Sequence, residues 1–240
     1  MISAHSIPRS DENSLLAHAQ LVEKARQGGI DVYFVGDSIT RRWGATDYPE
    51  LLDHWRQCFH GWNAANFGWG GDTVANIRWR LEHGELDGVH PKVIVILAGT
   101  NDLGSQPVND PVIEGVINGI GGLVKLCRAK APVAKIILTA IFPRNDDMNL
   151  LPAIDRINHA IARLGDNRSV VFLNVNDRLA DPNGRLFDGT TGDGLHLALK
   201  GYQIWADGLK PILRELLGPP AQTDHAPPPT GDPGACGSLP

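Results

Sequence analysis

Ser38, Asn101, Asp193 and His196 supply a hydroxyl, a carboxamide, a carboxylate and an imidazole. Acyl transfer uses this set of groups: the hydroxyl attacks, the imidazole takes its proton, and the carboxylate fixes the imidazole tautomer while donors meet the developing oxyanion. Asp193 precedes His196 by three residues, close enough for its carboxylate to turn back on Nδ1. His54, His60, His83, His90 and His159 fall in polar helical or turn contexts and read as solvated surface groups. Each residue alone has a plain structural explanation. Asp37 or Ser38 would cap a helix, as would Asp193. The case for chemistry rests on their occurring together.

The elements that must bring them together are legible as a β–α alternation. Residues 32–35, 64–67, 92–97, 135–140 and 170–173 are apolar runs that predict buried parallel strands. Helical patterns separate them. The first opens at Asp11-Glu12, carries Leu15, Ala19, Val22 and Ala25 on one face and stops at Gly28-Gly29. Another opens at Asp110-Pro111, with Asp110 as N-cap, and is interrupted by glycines at 115, 119, 121 and 122. The last buries Trp205, Leu209, Ile212 and Leu216. Such alternation predicts a three-layer α/β/α sandwich. Ser38, the glycine-rich turn 68–71, Asn101 and the 193–196 segment all follow strands, so right-handed crossovers put them on one carboxyl edge.

Bulk properties narrow the function. The chain has 240 residues, 42% hydrophobic and 20% charged, enough for one domain with a full core. A net charge of −5 without a Lys/Arg cluster argues against nucleic acid and anionic membranes as partners and favours a small neutral or weakly charged substrate. Cys58, Cys127 and Cys236 have neither disulfide-framework nor zinc spacing. No metal or other cofactor is expected. With no basic, apolar leader and no spanning segment, the chain as it stands is expected to be cytoplasmic, or secreted if a leader has been removed. Residues 1–29 form an arm and helix, 30–218 the catalytic domain, and 219–240 a disordered proline-rich tail.

Four segments resemble the consensus blocks of the SGNH, or GDSL, hydrolase superfamily. They are Gly36-Asp37-Ser38-Ile39, Asn66 through Thr73, Gly99-Thr100-Asn101-Asp102 and Asp193-Gly194-Leu195-His196, in the family's order. Within it the likeness is nearest to esterases of the platelet-activating-factor acetylhydrolase catalytic-subunit type, through Gly70-Gly71-Asp72-Thr73, Trp79-Arg80-Leu81-Glu82, Gly84-Glu85-Leu86 and Pro91-Lys92-Val93. Trp69 departs, standing where those subunits have an aliphatic residue.

The resemblance and the residues together predict a flavodoxin-like sheet of order 2-1-3-4-5 and a serine esterase. Ser38, Asp193 and His196 form the triad, and Ser38, Gly71 and Asn101 the oxyanion hole. The resemblance further implies an acetyl-sized pocket walled by Ile39, Thr100 and Leu195; Trp43 and Trp69 follow catalytic blocks, so one of them offers an apolar substrate wall or sugar-stacking platform, with plain packing the alternative. A monomer or homodimer acting on a small ester is expected. Lysophospholipase, thioesterase and polysaccharide deacetylase activities stay open. A nucleotide-binding module is disfavoured because no Gly-x-Gly-x-x-Gly or P-loop follows strand one and Asp37 would repel phosphate.

Overall fold

Val93–Leu97 (β3) reads Val-Ile-Val-Ile-Leu, and all five residues are buried. A strand without a polar face must be covered on both sides. The computed structural model, which describes residues 6–104 and 107–237, places β3 at the centre of a five-stranded parallel sheet. β1 (Val32–Gly36), β2 (Ala64–Gly68), β4 (Lys135–Thr139) and β5 (Val170–Leu173) complete it in the order 2-1-3-4-5, as expected. Gly36 pairs with Gly68 on one side and Leu97 on the other, so β1, β2 and β3 end level with one another.

Alternate strand residues feed two separate cores, as the period of two requires. Tyr33, Val35, Ile94 and Ile96 join a cluster with α1 (Glu12–Gln27), α4 (Val74–Arg80), α6 (Asp110–Lys130) and α7 (Leu151–Ala162). Val32, Phe34, Val93 and Val95 join the other, with α2 (Ser38–Gly44), α3 (Pro49–Phe59) and α9 (Leu199–Leu217). Two short helices, α5 (Thr100–Leu103) and α8 (Asn176–Leu179), follow β3 and β5.

The helices differ in detail from expectation. Asp11 caps α1 by accepting from the Ser14 N–H, but the cap of α6 is Asn109, which accepts from Val112, and Asp110 is the first helical residue. The glycines of α6 do not break it: its stripe of Val112, Val116, Ile120, Leu123 and Cys127 is buried along 21 residues. In α9 the buried stripe runs through Tyr202, Trp205, Ala206, Leu209 and Leu213, leaving Ile212 and Leu216 partly covered.

The largest departure is the tail. Residues 219–235 are laid along the domain instead of lying free, while 238–240 fall outside the described residues. Ala221 donates to Gly61 O, the Gly61 N–H donates to Asp224 Oδ2 at 2.7 Å, and His225 N–H donates to Asn63 Oδ1. Thr46 N–H donates to Thr230 O, and Asn13 bonds both Asp232 and the Gly234 N–H. Apolar content was the wrong criterion. Prolines present few N–H groups to satisfy and lose little conformational entropy on ordering, so polar pairing suffices to dock them. The amino-terminal arm docks likewise: Ile7 exchanges hydrogen bonds with Ala75 O and the Asn76 amide. Its residues 1–5 lie outside the described part.

Candidate active site

Ser38 is the first residue of α2, directly after β1 and Asp37. Asp37 caps the helix by accepting from the Ile39 N–H at 2.9 Å, which turns the chain sharply and leaves Ser38 half-buried at the sheet edge. The preceding Gly36 is required by space. A Cβ there would lie 2.2 Å from Thr40 Oγ1 and 2.5 Å from Leu97 O. Asp37 is wholly buried with Oδ2 unpartnered, and burial pushes its carboxyl up to about 7, opposed by the Ile39 hydrogen bond and reinforced by Asp72 and Asp102.

His196 arrives from the loop between α8 and α9. Its Nε2 lies 3.0 Å from Ser38 Oγ and its Nδ1 lies 2.6 Å from Asp193 Oδ2. The carboxylate fixes the proton on Nδ1, leaving Nε2 as acceptor for the serine hydroxyl. Asp193 also caps the turn, its Oδ1 accepting from the Leu195 and His196 N–H groups at 3.0 and 2.7 Å. Capping and ring orientation are thus done by different oxygens of one carboxylate. Partial burial would raise its pKa, but the hydrogen bonds from His196 and Leu195 outweigh it and hold the carboxyl far below the usual range. The loop is clamped by Asn145, whose N–H donates to Gly194 O at 2.7 Å while its side chain bonds Gly184 O and the Leu186 N–H.

Facing Ser38 is the 69–74 loop. Gly71 has φ +76°, a conformation that favours glycine, and is exposed. Gly70 approaches Ser38 so closely that a Cβ on it would contact the serine Cβ at 4.0 Å. Asn101, in the first turn of α5, donates to Asp72 O at 2.9 Å, which brings its carboxamide to the same loop. Its neighbour Asp102 accepts from the Val74 N–H at 3.0 Å, tying α5 to the start of α4.

Beneath this loop lies a buried ionic group. Arg80 Nε donates to Asp72 Oδ2 at 2.7 Å, Nη1 to Phe67 O and to the Glu85 carboxylate, and Nη2 to Gly36 O at 3.3 Å. One guanidinium therefore joins the ends of β1 and β2 to the loop. Glu85 in turn pairs with His18 Nδ1 at 2.8 Å, and Arg9 reaches from the arm to Gly70 O at 2.9 Å. Arg80 and Glu85 lie in the segments that resemble the acetylhydrolase subunits, but nothing in the sequence marked them as buried partners. Arginine and glutamate read by type as surface residues. Arg42 was missed for the same reason; its Nη1 lies 3.6 Å from Asp193 Oδ2.

Both tryptophans proposed as a substrate wall are corrected. Trp43 is fully buried, stacked with Tyr202 and edge-on to Trp55 and Phe59, and donates to His54. Trp69 is buried and donates to Ser14 Oγ at 2.8 Å beneath the Arg41 guanidinium. Each indole N–H finds a protein partner, and aromatic packing took precedence over solvent access. Of the residues expected to wall an acyl pocket, Ile39 and Thr100 are 2% and 3% exposed and Leu195 is half-buried. Leu195 packs on the core cluster that contains Ile39, and Thr100 Oγ1 accepts from Arg144. Among the described residues no group of three or more His, Cys, Asp or Glu side chains is arranged to hold a metal, and no helix is long and apolar enough to cross a membrane.

Platelet-activating factor acetylhydrolase IB subunit alpha2 of Gallus gallus is 31% identical over 211 residues, 87% of this chain and 87% of that protein. The fold is shared with a GDSL-like lipase from Bacteroides thetaiotaomicron at 23% identity and a TM-score of 0.63, covering 85% of this chain and 96% of that one. It is shared also with a carbohydrate esterase family 3 structure from Talaromyces cellulolyticus at 20% identity and a TM-score of 0.56, covering 78% and 97%. Residues 34–204 match the GDSL-like lipase/acylhydrolase family, a span that runs from β1 through the Ser38 turn and the His196 loop into α9. The chain belongs to that family and is a carboxylic ester hydrolase.

Proposed function

We propose that the chain hydrolyses short-chain esters, acetyl esters foremost, with Ser38 as nucleophile. The observation that carries this reading is the unbroken hydrogen-bond chain from Ser38 Oγ through His196 to Asp193, at 3.0 and 2.6 Å. As Ser38 Oγ attacks the ester carbonyl, its proton passes to His196 Nε2, and Asp193 stabilises the imidazolium. The carbonyl oxygen, now an oxyanion, accepts from the Ser38 and Gly71 N–H groups and from Asn101 Nδ2. Collapse expels the alcohol, protonated by His196, and water activated by the same imidazole releases the acid from Ser38.

The acetyl preference rests on two supports. The relatives named as acetylhydrolases match 87% of the chain. Ile39, Thr100 and Leu195 match the positions that wall a short acyl pocket in the acetylhydrolase subunits that the chain resembles. The test is covalent labelling by a fluorophosphonate followed by peptide mapping, together with turnover of acetylated sugars, lysophospholipids and thioesters. Labelling at Ser38 and fastest turnover of acetyl esters are expected; a label elsewhere, or faster turnover of long-chain substrates, would overturn the reading.

A further inference from the structure

Lys24 is 3% exposed, although α1 is a surface helix. Its ammonium donates to Asn66 O at 2.9 Å and lies 5.4 Å from the Phe67 ring centroid. Among the described residues no carboxylate lies within ion-pair distance of it. Glu85, the anion that it feels most, is already committed to Arg80 and His18. An uncompensated buried cation is costly, and burial pulls the Lys24 ammonium down to about 7, with Glu85 opposing.

Lys24 does not lie wholly in solid packing. It lines a cavity of about 260 Å³ whose other walls include Leu52, Trp55, Phe59 and Ala64. The roof is Pro227, Pro228 and Pro229, a strap pinned on one side by Asp224 to the Gly61 N–H and on the other by Thr230 O to the Thr46 N–H. A dry apolar cavity of roughly 150 Å³ takes up a molecule the size of benzene, so this one has room for a longer chain or a substituted ring. Arg56, His60 and Asp224 are the titratable groups that join Lys24 in its lining. Apolar walls with one buried amine, one of whose N–H groups is used, are complementary to an apolar body that ends in an anion.

We propose that this cavity binds a small apolar monocarboxylic acid, with its carboxylate on Lys24 Nζ and its hydrocarbon under the proline strap. The site is separate from Ser38 and stands whether or not the esterase reading does. The carboxylate completes the ammonium's hydrogen bonds and supplies its missing counter-ion, while the strap covers the chain from solvent. A neutral alcohol of equal length fills the same space without neutralising the charge and binds more weakly.

The test is calorimetric titration of the full chain with octanoate, phenylacetate and octanol. Octanoate and phenylacetate should bind, octanol at least about tenfold more weakly, and Lys24→Met should lose about tenfold or more in octanoate affinity. Replacing Pro227, Pro228 and Pro229 together by Gly should also weaken octanoate binding. Should Lys24→Met fold poorly, the unmodified chain with ¹³C-labelled lysine gives a second readout, in which the Lys24 ε-carbon titration moves up on adding octanoate. Equal affinity for octanol, full affinity in Lys24→Met, an unmoved Lys24 titration, or no octanoate binding would each overturn the proposal.

Discussion

Asn101 donates a side-chain N–H to the carbonyl of Asp72 at 2.9 Å, and so is held against the loop that bears Gly71 before any substrate arrives. A carboxamide carries two such hydrogens, so one fixes its direction and the other can serve the oxyanion as proposed. Asn101→Ala should lower kcat by about 10² to 10³ with KM nearly unchanged, the usual loss for one oxyanion donor. Steady-state kinetics on p-nitrophenyl acetate decide the point. A rise in KM alone would make Asn101 a binding group.

Ser38→Ala should abolish p-nitrophenyl acetate hydrolysis while leaving the melting temperature close to that of the parent. The cap of α2 is Asp37, not Ser38, and the serine hydroxyl is hydrogen-bonded only toward His196 among the described contacts. Retained turnover would remove Ser38 from the chemistry.

Asp37 makes stability pH-dependent in a direction opposite to most carboxylates. Its folded pKa is raised from 3.8 to about 7, so between those values the native state holds a proton that the unfolded chain has released. Stability therefore falls as pH rises from about 4 to about 7, by an upper bound of about 4 kcal/mol from this group. Asp37→Asn keeps the acceptor for the Ile39 N–H and removes the charge. It should raise the melting temperature at pH 8 by several degrees and change it little at pH 4. A shift of equal size at both pH values would show that Asp37 is not the titrating group.

Asp224 accepts from the N–H groups of Gly61 at 2.7 Å and Ala226 at 2.9 Å, and so pins the proline strap. Asp224→Ala should cost roughly 1 to 3 kcal/mol and lower the melting temperature by a few degrees. An unchanged melting temperature together with rapid proteolysis between residues 219 and 235 in the parent chain would mean that the strap is not docked in solution.

Acyl length gives the sharpest functional test. If Ile39, Thr100 and the half-buried Leu195 wall a short acyl pocket, kcat/KM should fall from acetate to butanoate and become negligible at octanoate. Steric exclusion is a harsher filter than the roughly 1 to 3 kcal/mol that a methylene is worth in an open pocket. Leu195→Ala should restore part of the activity on longer esters. Equal efficiency on p-nitrophenyl octanoate and acetate would describe an open, lipase-like site.

The sheet was legible because both its faces are covered, which writes uninterrupted apolar runs such as Val93–Leu97 into the chain. The convergence of Ser38, Asn101 and His196 was legible because parallel topology sends every strand's carboxyl end to one edge. What supports these groups was not. Arg80, Glu85 and Lys24 carry the signature of surface residues, and only the tertiary fold determines that their charges are buried. Trp43 and Trp69 follow functional blocks in sequence, but of their two readings packing prevailed: Trp43 joined the α2–α3–α9 core and Trp69 was buried against Ser14 and Arg41. The strap was hidden by composition, because its contacts are made by backbone groups and single aspartates instead of an apolar stripe.

The guanidinium of Arg80 binds the ends of two strands and the 69–74 loop at once. That loop consequently has no hinge of its own: it cannot loosen without exposing a buried cation and releasing carbonyls at Gly36 and Phe67. Amide hydrogens of the loop that are shielded by these contacts should exchange by the same global opening as those of β1, instead of by local fluctuation. On a thermal ramp, catalytic activity and tertiary structure should then be lost together, leaving no temperature interval in which a folded sheet carries a slack 69–74 loop.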